Sequence, residues 1–583
     1  MTAMEFTLLT EVATTLPEAL RVRGEKQPDS VAYVFLRDGE VPEESLTYGQ
    51  LDRAARNRAA ALEAAGHNGG TAVLLYPSGL EFVSTLLACM YAGIAGAPVQ
   101  VPTRRRGMER VRRIADDAGA TTILTTATVK RELEERFGDL LTGLTLLDTE
   151  SMRDHRADDW AGRPPGPDDI ALLQYTSGST GDPKGVEVTH ANFRSNVAET
   201  VELWPVRSDG TVVNWLPLFH DMGLLFGVVM PLFSGIPAYL MAPQAFIRRP
   251  ARWLEAISRF RGTHSAAPSF AYELCARSAA DTGFSPGLDL SSWRVAVNGA
   301  EPVRWATIRA FTEAYAPAGF RPEAMCPGYG LAENTLKLSG SPEDRVPTLL
   351  RLDAEALQES RVAPLAGPEA EGVPLVGCGA TVPTSLVAIV DPGNGTEQPA
   401  DRVGEIWING PCVARGYHGR PADTSEVFGA RIAGQEARGT WLRTGDLGFL
   451  HGGEVFIASR LKDVVIHQGR NFYPQDIELS AEMSDQALHP NCAAAFSLDD
   501  GQAERLVLLV EADGRALRNG GADALRARVH EAVWDRQRLR IDEIVLLRRG
   551  ALPKTSSGKV QRRLARSRYL DGEFGPAPAR EAG

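Results

Sequence analysis

Gln174-Tyr-Thr-Ser-Gly-Ser-Thr-Gly-Asp-Pro-Lys-Gly185 is a run of hydroxyls and glycines that follows the apolar segment Ala171 to Tyr175 and closes on a lysine and a glycine. Glycines let successive backbone N–H groups point into one concavity, the hydroxyls add donors, and Lys184 adds a positive charge, so the stretch suits a polyphosphate. A flexible Ser/Gly linker is the bland alternative, but linkers seldom follow a buried strand and end in Pro-Lys-Gly. The run is not a Walker A loop, because Pro183 precedes Lys184 where that motif needs glycine. Gly558-Lys559 fails the same pattern, with Pro553 at the first glycine and Val560 after the lysine.

The surrounding chain supplies the scaffold. Ala72 to Tyr76 reads as a strand, Leu80 to Tyr91 as a helix, and Ala97 to Val101 as the next strand after Gly93 and Gly96; strand, helix, strand with short connections predicts parallel sheet. The pattern recurs at Thr121 to Thr125, Ala171 to Tyr175 and Arg294 to Val297, so a layered α/β body is expected over most of the first 450 residues. Met222 to Pro243 has no charged residue over a length that would cross a bilayer. Pro231, Gly235 and Pro237 interrupt it, which predicts instead a buried helix (Gly223 to Phe233), a turn at Ser234-Gly235 and a strand (Ala238 to Met241). About residues 340–374 the chain turns Pro- and Glu-rich around one short helix near Asp353 to Glu359 and is expected to be an inserted surface element. Residues 375–450 read as mostly β, from Ala388-Ile-Val-Asp391 and Gly404-Glu-Ile-Trp-Ile-Asn-Gly410. From about Leu461 the α/β texture returns, with strands at Leu506 to Glu511 and Glu543 to Leu547 and a helix at Asp523 to Asp535.

With 583 residues, 62 Lys+Arg against 74 Asp+Glu and 43% hydrophobic residues, the chain has ample core material, and its net charge of −12 argues against a nucleic-acid partner. The six cysteines lie far apart with no zinc spacing, so neither disulfides nor a structural metal is indicated and a reducing cytoplasm fits. The opening Met1-Thr-Ala-Met-Glu-Phe6 does not resemble a secretory signal.

Five segments occur together in order: the loop Thr176 to Lys184, Tyr329-Gly-Leu-Ala-Glu-Asn334, Arg443-Thr-Gly-Asp446, Ser459-Arg-Leu-Lys-Asp-Val464 and Leu552-Pro-Lys-Thr-Ser-Ser-Gly-Lys-Val560. They resemble the ordered motifs of adenylate-forming enzymes, the superfamily of acyl-CoA synthetases, luciferases and peptide-synthetase adenylation domains. Leu216-Pro-Leu-Phe-His-Asp-Met-Gly-Leu224, Asn298-Gly-Ala-Glu-Pro302 and Lys462 to Glu478 carry the wording of one branch, the fatty acyl-AMP ligases, and the insertion at 340–374 falls where that branch carries one.

The resemblance implies an α/β fold with two α/β subdomains plus a β subdomain in residues 1–460 and a small mobile α+β C-terminal domain in 461–583, turning about a hinge at Lys462. It implies attack of a fatty carboxylate on the α-phosphate of ATP, giving acyl-AMP and pyrophosphate, and transfer of the acyl group to the phosphopantetheine of a holo acyl carrier protein of a polyketide or peptide-synthetase line. Thr176, Ser177, Gly178, Ser179, Thr180, Gly181 and Lys184 would hold the β- and γ-phosphates. Tyr329 would stack on adenine, with Asn298, Gly299, Ala300 and Glu301 lining the base pocket and Gly330, Leu331 and Ala332 beside it. Glu333, with Thr176, would hold Mg²⁺. Asp446 would accept from the ribose hydroxyls with Arg460 close by, Lys559 would bridge the acid and the α-phosphate, and His220 would gate the acyl tunnel. Ala332 stands where the wider superfamily has threonine, as in the ligase branch.

One departure concerns the acyl wall: the branch often reads Ser-Gly-Gly-Pro, and this chain has Ser265-Ala-Ala-Pro268, two added methyl groups that should narrow the passage. Two competing functions remain at this level, an acyl-CoA synthetase with CoA as acceptor and a catalytically silent acyl-nucleotide binding module. The insertion bears on the first, and the joint presence of Lys559, Glu333 and Asp446 argues against the second.

Overall fold

The computed structural model describes residues 8–154, 157–160, 162–175, 183–367, 370–467, 470–499, 504–518, 521–555 and 558–574. The loop residues Thr176 to Gly181 lie outside the described residues.

Two large sheets carry the first part of the chain. In the six-stranded sheet the order is Thr145–Asp148, Thr122–Thr125, Thr71–Leu75, Ala95–Val99, Ile170–Tyr175 and Gly185–Thr189; all pair in parallel except the last. The near-continuous apolar run Ala72 to Leu75 is buried throughout, as a strand covered by helices on both faces requires. The nine-stranded sheet is parallel through its middle, where His264–Ala267 lies between Val212–Asn214 and Val295–Asn298, and antiparallel at both ends. One end is the hairpin Val31–Arg37 and Val41–Thr47, whose second strand is almost wholly exposed and polar; with no apolar alternation it carries no strand signal. A four-stranded antiparallel sheet (Leu386–Val390, Gly404–Asn409, Leu442–His451, Glu454–Arg460) and a three-stranded sheet (Leu488–Asp499, Glu504–Ala512, Glu543–Arg548) follow.

The uncharged stretch after Asp221 is an interrupted helix inside the large core: Asp221–Leu224, a π-turn at Leu225–Val229 and Met230–Ser234, stopped by Gly235 at φ +72°, then the strand Ala238–Met241. Gly223 and Gly227 give it passage, since a Cβ would meet the Pro217 carbonyl at the first and the Asn214 side chain at the second. No helix among the described residues is long and apolar enough to cross a membrane.

Residues 340–374 are more than a surface element. The helix Ala354–Gln358, capped by Asp353 accepting from the Ala356 amide (2.8 Å), buries Leu357 with Leu352, Val362 and Val373 in one core shared with Phe449, Phe456 and Tyr473. The Pro and Glu content of the stretch conceals that apolar side. Its outer end meets the last part of the chain: Gln358 donates to the Gln537 carbonyl (3.1 Å), Asn471 to Ser360 (3.1 Å) and Tyr473 to the Leu357 carbonyl (3.4 Å).

Candidate active site

The strand Met325–Gly330 brings Tyr329 to the edge of the four-stranded sheet, where Asp446 stands opposite Arg460 in the antiparallel register. The Tyr329 hydroxyl donates to Asp446 Oδ2 (2.7 Å), and Arg460 Nε lies 3.3 Å from Oδ1. Burial pushes the Asp446 carboxyl up, against the pull of Arg460 and Tyr329. A carboxylate so placed favours additional hydrogen-bond donors, which is what a pair of vicinal hydroxyls supplies.

Asn298 ends the neighbouring strand fully buried, and among the described residues its Oδ1 has no hydrogen-bond partner. Gly299 follows because a Cβ there would come within 2.7 Å of the Gly328 carbonyl. Ala300 takes a left-handed backbone (φ +65°), an uncommon conformation for alanine that turns the chain so that Glu301 accepts from the Phe270 amide (2.6 Å). Gly330 is equally constrained, with the Leu336 carbonyl where its Cβ would stand, and the Leu331 amide donates to that carbonyl (2.8 Å).

Leu331 and Ala332 lead into the turn Ala332–Asn334, which presents Glu333; the Glu333 carbonyl accepts from the Ala414 amide (2.9 Å) and its Oε1 from the Tyr417 hydroxyl (2.9 Å). Burial raises the Glu333 carboxyl above the usual range, opposed by Tyr417 and Arg460. The Tyr417 ring also carries Lys184, whose Nζ is 5.1 Å from its centroid and 3.1 Å from Asp423. Tyr417 therefore joins the lysine that closes the Ser/Gly loop to the carboxylate that would meet a cation. Among the described residues no three His, Cys, Asp or Glu side chains cluster as a metal cage. The hard carboxylate oxygens of Glu333 suit Mg²⁺, which binds through one or two carboxylates plus substrate phosphates and keeps several waters.

Lys559 enters from the far end of the chain. Its turn is closed by the Thr555 amide on the Lys559 carbonyl (2.8 Å) and the Lys559 amide on Thr555 Oγ1 (3.1 Å), with Gly558 at φ +86° against the Phe270 ring. Burial lowers the Lys559 ammonium, and the charges of Asp221, Glu301 and Asp446 hold it up. Partial burial disfavours the Asp221 charge, yet its carboxyl stays below the usual range because His220, Lys559 and the Met222 amide outweigh that cost; His220 Nδ1 lies 2.6 Å from Asp221 Oδ1. Arg304 Nη1 lies 2.6 Å from Glu482 Oε2. Asn491 donates to Glu273, and Lys554 donates to the Asn491 carbonyl (2.9 Å). These contacts tie the last part of the chain to the body with Lys559 turned inward. Lys462, exposed in the turn Leu461–Asp463, stands outside this cluster.

Sequence reading names most of these groups, and misses Tyr417, Phe270 and Asp221 as active parts. Tyr417 lies 84 positions from Glu333 in no recognisable pattern, whereas Asp221 is visible only as the neighbour of His220.

The profile of the AMP-binding enzyme family matches residues 20–418, more than half of the sequence, and a second profile, the AMP domain of Disco-interacting protein 2-like proteins, matches residues 462–576. The chain belongs to the AMP-binding enzyme family. It is 40% identical, over 97% of each chain, to the medium-chain-fatty-acid–acyl-carrier-protein ligase JamA of Moorena producens. It is 36% identical to the long-chain-fatty-acid–AMP ligase FadD26 of Mycobacterium tuberculosis, over 96% of this chain and 98% of the other. Among solved structures, the fatty acyl-adenylate ligase of L. pneumophila in complex with acyl adenylate and pyrophosphate superposes with a TM-score of 0.75 at 34% identity, covering 97% of this chain and 98% of that one. The family places the α/β body with its smaller C-terminal part among the adenylate-forming folds.

Proposed function

We propose that this chain joins a fatty acid to the α-phosphate of ATP, releases pyrophosphate, and passes the acyl group from the adenylate to the phosphopantetheine thiol of an acyl carrier protein. The observation that carries the reading is that Gly558, beside Lys559, stands against the Phe270 ring while the Phe270 amide donates to Glu301, and that Asp446 is held by Tyr329 and Arg460, together with the fatty-acid ligases among its relatives.

In this reading Asp446 accepts from the ribose hydroxyls, and Tyr329, Asn298 and the Gly299 to Glu301 turn enclose the base. Lys184 and the loop before it hold the departing phosphates. Glu333 holds Mg²⁺, with Thr176 as its companion, and the cation when bound neutralises charge on the phosphates. Lys559 lies between the acid and the α-phosphate: the carboxylate oxygen bonds to phosphorus as the bond to pyrophosphate breaks, and the ammonium stabilises the charge spread over both. The thiol then attacks the acyl carbonyl and AMP leaves. His220, fixed by Asp221, stands at the boundary between nucleotide and acyl sites. Residues 461–583 act as a mobile unit about Lys462, carrying Lys559 in for the first step and away for the second.

The insertion supports a carrier protein over CoA. Gln358, Ser360 and Leu357 hold Gln537, Asn471 and Tyr473; these contacts favour the adenylation arrangement, and a carrier protein can offset their loss through its own docking surface, which a free CoA lacks. Mass spectrometry of lauric acid, ATP and Mg²⁺ with either CoA or a holo carrier protein tests this: acyl-AMP that persists with CoA and moves to the carrier is expected, whereas abundant lauroyl-CoA would make the chain an acyl-CoA synthetase. Absence of adenylate with any acid would leave the silent binding module.

A further inference from the structure

Six of the ten residues from Arg104 to Arg113 are arginine in a chain whose net charge is −12. Two are neutralised, Arg105 by Asp139 (2.5 Å) and Glu109 (3.7 Å), and Arg112 by Asp116 (3.1 Å). Among the described residues no ion pair or side-chain hydrogen bond engages Arg104, Arg106, Arg110 or Arg113. Arg104, Arg106 and Arg113 are exposed; Arg110 is half-buried, and the charged neighbour acting on it is Arg113, another cation. The helix Arg105–Ala118 turns Met108, Val111, Ile114, Ala115 and Ala118 into the core and leaves the arginines outside it. Uncompensated like charges repel one another, so a surface that gathers four of them gains by meeting an anionic partner.

The location is as informative as the charge. The patch leaves the C-terminal end of Ala95–Val99, the immediate parallel neighbour of Ile170–Tyr175, from which the Ser/Gly loop departs. In open α/β sheets this is the edge at which ligands are received. At the other end of the same helix Asp117 accepts from the Tyr175 hydroxyl (2.8 Å) and pairs with Arg420, which also donates to the Pro183 carbonyl (3.3 Å). The arginine face is thus anchored to the frame of the active site.

We propose that Arg104, Arg106, Arg110 and Arg113 form the docking surface for the acyl carrier protein, a small acidic domain whose reactive arm is joined to it through a phosphodiester. The proposal rests on the carrier-dependent reading given above. Both partners being net negative overall, this patch supplies the local attraction that brings the thiol to the correct edge of the sheet.

The test uses the full chain, a holo acyl carrier protein of net negative charge, and the double variant R106E/R113E. The variant should raise the KM for the carrier about tenfold and flatten its dependence on salt, with acyl-AMP formation in the absence of carrier unchanged. The milder R106Q/R113Q, at the same exposed positions, should give a smaller rise in the same direction. An unchanged carrier KM in both variants overturns the proposal. So does a raised KM for MgATP with an unchanged carrier KM, which would assign the arginines to the nucleotide. A wild-type chain that forms acyl-AMP and delivers it to no holo carrier refutes the acceptor reading itself, and the docking surface with it.

Discussion

The Arg304–Glu482 pair offers the sharpest perturbation of the arrangement that brings Lys559 inward. Its side chains are 16% and 3% exposed, with 2.6 Å between Nη1 and Oε2, and Glu482 Oε1 also accepts from the Cys492 amide (3.0 Å). Burial disfavours the Arg304 guanidinium, and Glu482, with Glu273 and Glu478, more than compensates. Removing Arg304 as alanine leaves a buried carboxylate without its partner, which in a rigid core costs about 3–5 kcal/mol. In the proposed mechanism the C-terminal part moves and rehydrates Glu482, so the loss falls on one arrangement only and is nearer the worth of a charged hydrogen bond, about 1.5–3 kcal/mol. Arg304→Ala should therefore slow acyl-AMP formation about 10- to 150-fold. Transfer of preformed acyl-AMP to a holo carrier should change by less than about twofold. Single-turnover quench experiments separate the two steps. Glu482→Gln in the same background should recover part of the loss, because a neutral amide is cheaper to bury than an unpaired charge. Adenylation within about twofold of wild type, or equal losses in both steps, would refute the reasoning.

Tyr417→Phe removes the hydroxyl from Glu333; the Mg²⁺ concentration for half-maximal pyrophosphate release should rise about tenfold, and an unchanged requirement would detach Tyr417 from the metal site. Ala266 and Ala267, fully buried in the strand His264–Ala267, should favour short acids; Ala266→Gly with Ala267→Gly should shift kcat/KM toward longer ones, and equal wild-type activity on C8 and C18 acids would contradict this. Burial lowers Lys559 from its ordinary value of 10.5, although Asp221 and Glu301 oppose it. The protonated form is the active one, so activity is complete below the folded pKa and lost as pH rises through it. The alkaline limb of kcat/KM for adenylation, which reports the free enzyme, should accordingly fall below 10.5 and vanish in Lys559→Ala; a limb at or above that value would count against burial.

Much of the scaffold was legible because buried parallel strands must be apolar: Ala72 to Leu75 and Ala171 to Tyr175 declare themselves, and the short helix near Asp353 to Glu359 is set by an Asp cap. The exposed strand Val41–Thr47 was not, since an edge strand with a polar sequence borrows its structure from Val31–Arg37. The π-turn at Leu225–Val229 answers to tertiary packing around Asn214, and nothing local signals it. At the site, Glu333, Asp446 and Lys559 were readable from ordered motifs, whereas the groups that hold them required the fold. Tyr417 reaches Glu333 across distant sequence, and Phe270 meets Gly558 where the last part of the chain packs on the body.

The most direct test of the central claim, that the site closed by Lys559 makes the adenylate, is single-turnover acyl-AMP formation by Lys559→Ala set beside its transfer of supplied acyl-AMP to a holo carrier. A loss of about 10²–10³ in adenylation, roughly 3–4 kcal/mol, is expected, with transfer nearly intact. Adenylation at near the wild-type rate would contradict it.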